Sequence, residues 1–509
     1  MAHHLIVGLG IAGRAAARWL DAHAPEHDRI TVLSAETGSF YPRHNLHHLL
    51  AGDLADCEIF DPAWGAREGR LTIRVGTPAT SLDPIARRVS TPAGDFEYDR
   101  LLIACGGQPI RPPWPGADLA GVFTLRTVGD AAGMLAGRPR RALVVGGGVL
   151  GLDTLYGLHR RGIASTLLVR DRYPGKPALD PAAGEIVAAR LVRLGLDVRY
   201  SIEVERLEGE NGQVAAAVTT SGERLPADLV VVAIGAAPDL RWLEGSGLVV
   251  RRGVVVDGRL ATSSEGVWAA GDAAEAFSPQ LDRPVTGAAW RTAEHQGALA
   301  ARGMLDNLET ARPRAFAITQ GVYDLHYTAI GDTVGDDSVV RADPAHEVYR
   351  KVVLRDGRIV GALLMGELDD LTAFERLIAD ATPISREEAE RLVAGVAPAV
   401  PPALSPGELA SGTGRNGAPV LVAVEGRVYD LSASGMWHLG LHVARHLAGR
   451  DLTAALRDAP HDSSVLTRYP VVGSLSRRPR WLTWNNAAVA AAVVWFAILL
   501  LSFVQMGLR

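Results

Sequence analysis

LIVGLGIAG, residues 5–13, decides the fold. An apolar strand-like run leads straight into Gly8-x-Gly10-x-x-Gly13, and a helical stretch, AAARWLDAH, follows. Glycines in this order allow a tight turn, a close approach of backbone to a pyrophosphate, and a helix packed hard on its strand. The pyrophosphate then rests on the helix N-terminus. A second strand, ITVLSAE, ends at Glu36, where a ribose-binding acid belongs. The glycine pattern alone is a weak signal, but an ordinary glycine turn does not supply the strand, the helix and the acid together.

The pattern recurs in ALVVGGGVLG (142–151), with Gly146-x-Gly148-x-x-Gly151 between a strand and a helix. Its second strand runs into STLLVRDRYPGK (165–176), where Arg170, Arg172 and Lys176 occupy the region expected to hold an acid. Cations there suit a 2′-phosphate, so this half leans toward NADPH over NADH, although scattered basic residues also suit a solvated loop.

The chain has 509 residues, too many for one core, so several domains are expected. A net charge of -5 gives no reason to expect nucleic acid as a partner. Two cysteines, Cys57 and Cys105, are too few for a disulfide framework or a four-thiolate iron–sulfur cluster. No signal-peptide pattern precedes the first strand. Near the other end, AAVAAAVVWFAILLLSFV (487–504) carries no charge, and Arg477, Arg478, Arg480, Trp481 and Trp484 precede it. This reads as a single transmembrane helix over 485–506, anchoring the chain in the cell membrane with the catalytic domains in the cytoplasm. A buried core helix is the alternative.

Two such fingerprints resemble the FAD-dependent pyridine nucleotide reductase family. Further segments carry the resemblance: YDRLLIACGG (98–107), with Cys105 where the family has Thr; LPADLVVVAIGAAPD (225–239); and GVWAAGDAAE (266–275). FYPRHNLHHLLAG (40–52) and YRKVVLRDGRIVGALLMGE (349–367) are similar to the branch of rubredoxin reductases and nitrite reductase large subunits. His44 stands where the branch has Pro. The resemblance implies FAD on Gly8, Gly10, Ala12, Gly13, Glu36, Arg43, Ala79, Ala104, Gly106, Arg126, Gly271, Asp272 and Trp290. Trp290 suits the core equally well. It implies NAD(P) on Gly146, Gly148, Leu150, Gly151, Arg170, Arg172, Lys176 and Gly235. Asp153 replaces the family's Glu as a residue that orients the nicotinamide. The redox cysteine pair of the disulfide reductases is absent, so electrons leave the flavin without a dithiol. His44, His47 and His48 look like a metal cluster, but hydrogen-bonding or solvated roles fit loop histidines better.

Residues 424–475 resemble the cytochrome b5-like heme/steroid-binding family through GRVYDLS, AGRDLT, APH (459–461) and VVGSL. The resemblance implies heme iron between His442 and His461, with His446 as the substitute. His442 and His446, four apart, are expected on one helix face. Zinc or a metal-free apolar slot remain open.

The expected fold class is α/β: two Rossmann-type three-layer dinucleotide-binding domains, a small α+β domain, a cytochrome b5-like α+β domain and one transmembrane helix. The boundaries are FAD domain 1–111 with 241–315, NAD(P) domain 112–240, C-terminal reductase domain 316–395, linker 396–417, b5-like domain 418–476. The expected function is a membrane-anchored oxidoreductase carrying electrons from NAD(P)H through FAD to heme and on to a membrane or soluble acceptor. Two alternatives are a reductase of a separate rubredoxin- or ferredoxin-like carrier, with the C-terminal module only a tether, and a flavin redox sensor.

Overall fold

His3–Val7 forms the centre of a five-stranded parallel sheet. In spatial order its strands are Val267–Ala269, Arg100–Ile103, His3–Val7, Arg29–Leu33 and Leu71–Arg74. Order reverses at the central strand, so a crevice opens above its carboxyl end, where Gly8 begins the turn. The strand is apolar throughout because both sheet faces are covered; Leu5 and Ile6 are fully buried. The helix Ile11–His23 covers one face, and the helix Trp290–Met304 packs across it. These helices approach so closely that a Cβ on Gly297 would stand 2.0 Å from the Ala12 carbonyl oxygen.

The computed structural model describes residues 1–55, 57–287, 289–306, 315–335, 337–395, 403–415 and 418–432, and then 434, 436–438, 440–442, 446–457, 463–466, 469 and 471–475. A second parallel sheet repeats the design around Arg141–Val145, flanked by Ala164–Val169 and Asp197–Tyr200 on one side and Leu229–Val232 and Val122–Phe123 on the other. The helix Val149–Arg160 follows its central strand.

A five-stranded antiparallel sheet comes next, in the order Ala317–Val322, Leu325–Gly331, Arg358–Met365, Val348–Arg355 and Ser338–Asp343. Its hairpin turns at Asp356-Gly357, both with positive φ as a two-residue type I′ turn requires. The helices Leu371–Ala379 and Arg386–Val393 pack on one face. The strand Val348–Arg355 is buried on both faces up to its last residue. Arg350 accounts for one face: its guanidinium pairs with Asp370 and donates to the Leu392 carbonyl at 3.0 Å.

Residues Met1–Val396 and Ala397–Arg509 form two separate units. In the second, strands Ala403–Leu404, Val471–Leu475, Arg427–Asp430, Leu421–Val424 and Arg450–Asp451 make one sheet. The expected linker 396–417 is therefore corrected in part. Ser405 caps the helix Pro406–Ser411 reciprocally with Glu408, and Leu409 is buried against Leu421, Ala423 and Val428. A Pro- and Gly-rich composition did not disclose that box. His442 and His446 also depart from expectation, since they pair across two short antiparallel strands rather than along a helix.

The membrane placement is corrected as well. Among the described residues no helix is long and apolar enough to cross a membrane, which overturns the single-pass cell-membrane assignment. That assignment rested on the hydropathy of 485–506 and on Arg477, Arg478, Arg480, Trp481 and Trp484 before it, and all of these lie outside the described residues.

Gly297→Ala is expected to destabilise the first unit by about 1–3 kcal/mol, because a methyl group would be driven into fixed backbone. Denaturant unfolding followed by tryptophan fluorescence checks this; an unchanged midpoint would refute the close helix contact.

Candidate functional site

The turn after His3–Val7 is built by contact. Gly8 has φ +115, and a Cβ there would meet the Ala104 carbonyl oxygen at 2.2 Å. A Cβ on Gly13 would lie 1.9 Å from the Gly8 carbonyl oxygen, so the helix sits directly on the turn. Gly10 differs, with nothing within 4 Å of its Cβ position. Its absent side chain leaves an opening.

That opening belongs to a cavity of about 590 Å³, within the ~300–1,000 Å³ range of ligand sites. Gly8, Gly10, Glu36, Arg43, Ala79, Ala104, Gly106 and Arg126 line it. Ala12, Gly13, Gly271, Asp272 and Trp290 lie outside the lining. Ala12 and Gly13 are buried in the first turn of the helix, and the Asp272 carboxylate stands 3.4 Å from a Cβ position on Gly107. Trp290 packs against the core and meets His44 edge-on, with ring centroids 4.3 Å apart. Sequence reading missed Cys105, Asp239 and Trp242 in the lining. Cys105 offered a signal, as the one departure within an otherwise matching segment.

Two features fit the cavity to a dinucleotide. The helix Ile11–His23 begins at Gly10 with no side-chain cap and no acid in its first turn. The helices starting at Val128, Pro181 and Arg386 are capped by side chains, whereas those starting at Trp290 and Leu371 are not; what sets the fingerprint helix apart is the open Gly10 before it. An uncapped first turn keeps its N–H groups and its positive dipole end for an anion. The second feature is charge. The Arg43 guanidinium pairs with Glu36 and donates to the Tyr41 hydroxyl at 2.8 Å and the Arg126 carbonyl at 3.0 Å. Tyr41 donates to the other Glu36 oxygen at 2.6 Å. Burial pushes the Glu36 carboxyl up, but Arg43 and the Tyr41 hydrogen bond outweigh it and hold it below the usual range. Glu36 is thus ionised and fixed at the cavity wall. Cys105 is the reverse case, pushed up to about 11 by burial. It is a neutral thiol near pH 7.

The second fingerprint repeats the contacts. A Cβ on Gly146 would meet the Ala233 carbonyl oxygen at 2.3 Å, and one on Gly151 the Gly146 oxygen at 1.8 Å. Gly148 is open, its nearest neighbour being the Lys176 carbonyl oxygen at 3.6 Å, and the helix behind it is also uncapped and without an acid. Leu150 is half-buried in its first turn, and Gly235, with φ +121, lies three residues past the end of the neighbouring strand Leu229–Val232. Arg170 and Arg172 are exposed. Lys176 is not a lone cation: it donates to Asp171 at 2.9 Å. Asp171 is the acid that the sequence reading did not find in this loop.

Asp153 sits three residues beyond Leu150, facing the antiparallel sheet. Gln320 donates to it at 3.4 Å and to the Val149 carbonyl at 2.8 Å, and His47 approaches to 3.9 Å. Burial pushes Asp153 up to about 7 and His47 down to about 4. His48 bonds Asp53 at 3.2 Å, and no group of three or more His, Cys, Asp or Glu among the described residues could hold a metal ion. His44 packs on Trp290, and the His47 and His48 rings lie 4.0 Å apart.

In the second unit, His442 stacks between Trp437, at 5.1 Å, and His446, at 6.3 Å. Val420, Val422, Val424, Leu431 and Leu466 make a buried apolar cluster there, with Trp437 packed against it. His461 lies outside the described residues.

Two glycine-turn nucleotide cradles on twin parallel sheets define a two-dinucleotide oxidoreductase. Residues 2–297 match the model of the pyridine nucleotide-disulphide oxidoreductases, residues 322–382 that of the rubredoxin NAD+ reductase C-terminal domain, and residues 405–476 that of the cytochrome b5-like heme/steroid binding domain. The chain belongs to the pyridine nucleotide-disulphide oxidoreductase family, as an FAD-dependent NAD(P)H oxidoreductase. It is 31% identical over 390 residues to the biphenyl dioxygenase system ferredoxin–NAD(+) reductase component of Paraburkholderia xenovorans, covering 75% of this chain and 94% of that one. It is 32% identical to the rubredoxin-NAD(+) reductase of Ectopseudomonas oleovorans, over 54% of this chain and 72% of the other. The covalent putidaredoxin reductase–putidaredoxin complex shares the fold, with TM-score 0.70, 23% identity, and coverage of 78% and 99%.

Asp153 makes stability depend on pH in a definite direction. Its folded pKa lies above the unfolded value of about 3.9, so it favours the folded state below pH ~4 and loses that contribution as pH rises to about 7. Asp153→Asn should gain stability over the parent across that window, on the order of 2–4 kcal/mol by pH 8. Unfolding curves at pH 4.5, 6 and 8 measure it, and a pH-independent difference would contradict the assignment.

Proposed function

We propose that this chain is an electron-transfer reductase with its own one-electron module. FAD, when bound at the first fingerprint, would supply the redox chemistry between a nicotinamide dinucleotide at the second and a b-type heme with a further acceptor beyond it. The observation that carries the reading is the pair of uncapped helix N-termini, each behind an open glycine, in a chain that continues into a b5-like segment.

The protein's part is to bind, orient and exclude. Gly8, Gly10, Ala12 and Gly13 seat the FAD pyrophosphate, Glu36 receives a ribose hydroxyl, and Arg43 and Arg126 supply positive charge. Ala79, Ala104 and Gly106 shape the wall, with Gly271, Asp272 and Trp290 beside it. Gly146, Gly148, Leu150, Gly151 and Gly235 seat the second dinucleotide, and Asp153 orients its nicotinamide. Arg170 and Arg172, with Lys176 beside them, favour a 2′-phosphate and hence NADPH. His442 and His461 would hold the heme, with His446 as the substitute. Tethering makes heme reduction intramolecular, at high effective concentration. Neither cysteine supplies a dithiol, and the neutral Cys105 is a poor nucleophile toward a cofactor.

A second reading sends the electrons to a separate small carrier. The names of the relatives favour it, since they are reductases of ferredoxin and rubredoxin. One anaerobic titration separates the two. With NADPH, the first predicts flavin bleaching together with sharpening of a heme band, whereas flavin bleaching without a Soret band leaves only the carrier. Gly10→Ala and Gly148→Ala divide the sites, since neither added methyl meets backbone closely. Gly10→Ala should lower bound flavin, and Gly148→Ala should raise KM for NADPH with flavin content unchanged. Replacing Arg170 and Arg172 with Glu should cut kcat/KM for NADPH about tenfold more than for NADH, worth ~1.4 kcal/mol. Equal losses would remove the NADPH preference.

A further inference from the structure

The segment from Arg170 to Asp180 lies on the second fingerprint and is held there by atoms of several elements. The Gly175 N–H donates to the Gly147 carbonyl at 2.7 Å. The Asp171 carbonyl accepts from Ser201 N–H at 3.2 Å, and its carboxylate holds Lys176. The far end of the segment, Asp180, caps the helix Pro181–Arg193 by accepting from Ala183 N–H at 3.1 Å.

Asp180 is also gripped from outside its own domain. Its Oδ2 accepts from the Tyr349 hydroxyl at 2.7 Å and from the Lys351 ammonium at 3.0 Å. Tyr349 and Lys351 are two apart on the strand Val348–Arg355, so they share one face, while Arg350 turns to the other. Glu347, the residue before that strand, pairs with Arg190 and Arg193 at the opposite end of the same helix. The antiparallel sheet thus holds both ends of the helix that follows the nucleotide loop. Lys351 is only 8% exposed. A buried ion pair adds little net stability because both charges lose water, whereas its geometry fixes position.

We propose that Tyr349 and Lys351 are positioning residues for the nicotinamide dinucleotide, acting through Asp180 to hold the 170–180 loop against Gly147 and Gly148. This rests on reading the second fingerprint as the nicotinamide site. The loop carries the groups that would meet the adenosine ribose and its phosphate. With the clamp open, that loop samples other positions and the affinity of the competent state is diluted. The flavin site shares no atom with the clamp.

The test uses the full-length flavoprotein with ferricyanide as acceptor. Tyr349→Phe/Lys351→Met should raise KM for NADPH at least ~5-fold, with kcat within ~2-fold and flavin content unchanged. Trypsin should also cut faster after Arg170 and Arg172, and NADPH should restore protection. A purely structural role would lower the melting temperature without separating KM from kcat. If the double variant does not accumulate, Asp180→Asn is measured instead. It keeps an acceptor for Ala183 and gives up the charge that Lys351 needs. Gly148→Ala serves as the reference. If it raises KM while the clamp variants do not, the clamp is wrong and the nicotinamide site stands. If none of them changes KM, the second fingerprint is not the nicotinamide site and both readings fall.

Discussion

The contact between Gly13 and the carbonyl of Gly8, with its copy between Gly151 and Gly146, is the constraint on which the rest of the molecule depends. At 1.9 Å and 1.8 Å from a notional Cβ, neither Gly13 nor Gly151 can be anything larger without moving backbone. That closeness puts the first turn of each helix directly over the end of its strand. A helix so placed presents its unbonded N–H groups to the crevice where the strand order reverses. The parallel sheets, the apolar central strands and the uncapped helix starts all serve this arrangement.

Charge then divides the two cradles. In the first, Glu36 is ionised and locked by Arg43 and Tyr41, so its orientation is set before any ligand arrives. In the second, Arg170, Arg172 and Lys176 of the corresponding loop are exposed, and its acid, Asp171, is paired with Lys176. The loop takes its order from elsewhere, namely the third sheet acting through Asp180. A rigid first site beside a second whose loop is held at a distance suits one cofactor that stays and one that exchanges.

Much of this was legible in the residues. The two fingerprints follow from glycine positions and hydrophobic period, which are local properties. Eight of the residues assigned to FAD line one cavity, because strand ends and the turns after them are what a parallel sheet gathers at its crevice. What failed was of another kind. His442 and His446 share a spacing that suits a helix face, yet two short strands pair them instead. Ser405 and Glu408 form a capping box inside a stretch whose composition suggested a linker. The apolar run at 485–506 invited a membrane, and no described helix bears that out.

The amino-acid order by itself determined the two dinucleotide cradles, since a glycine required by a backbone contact is required whatever surrounds it. Tertiary structure alone decided where the long polar side chains go. Arg350, Lys351 and Tyr349 stand in one strand, VYRKVVLR, and nothing local says that one faces a helix pair and two face Asp180. Asp153 is an ordinary helical carboxylate until Gln320 and His47 close over it and burial lifts its pKa to about 7. Desolvation and ion pairing depend on neighbours distant in the chain, so they exist only once the sheets have packed.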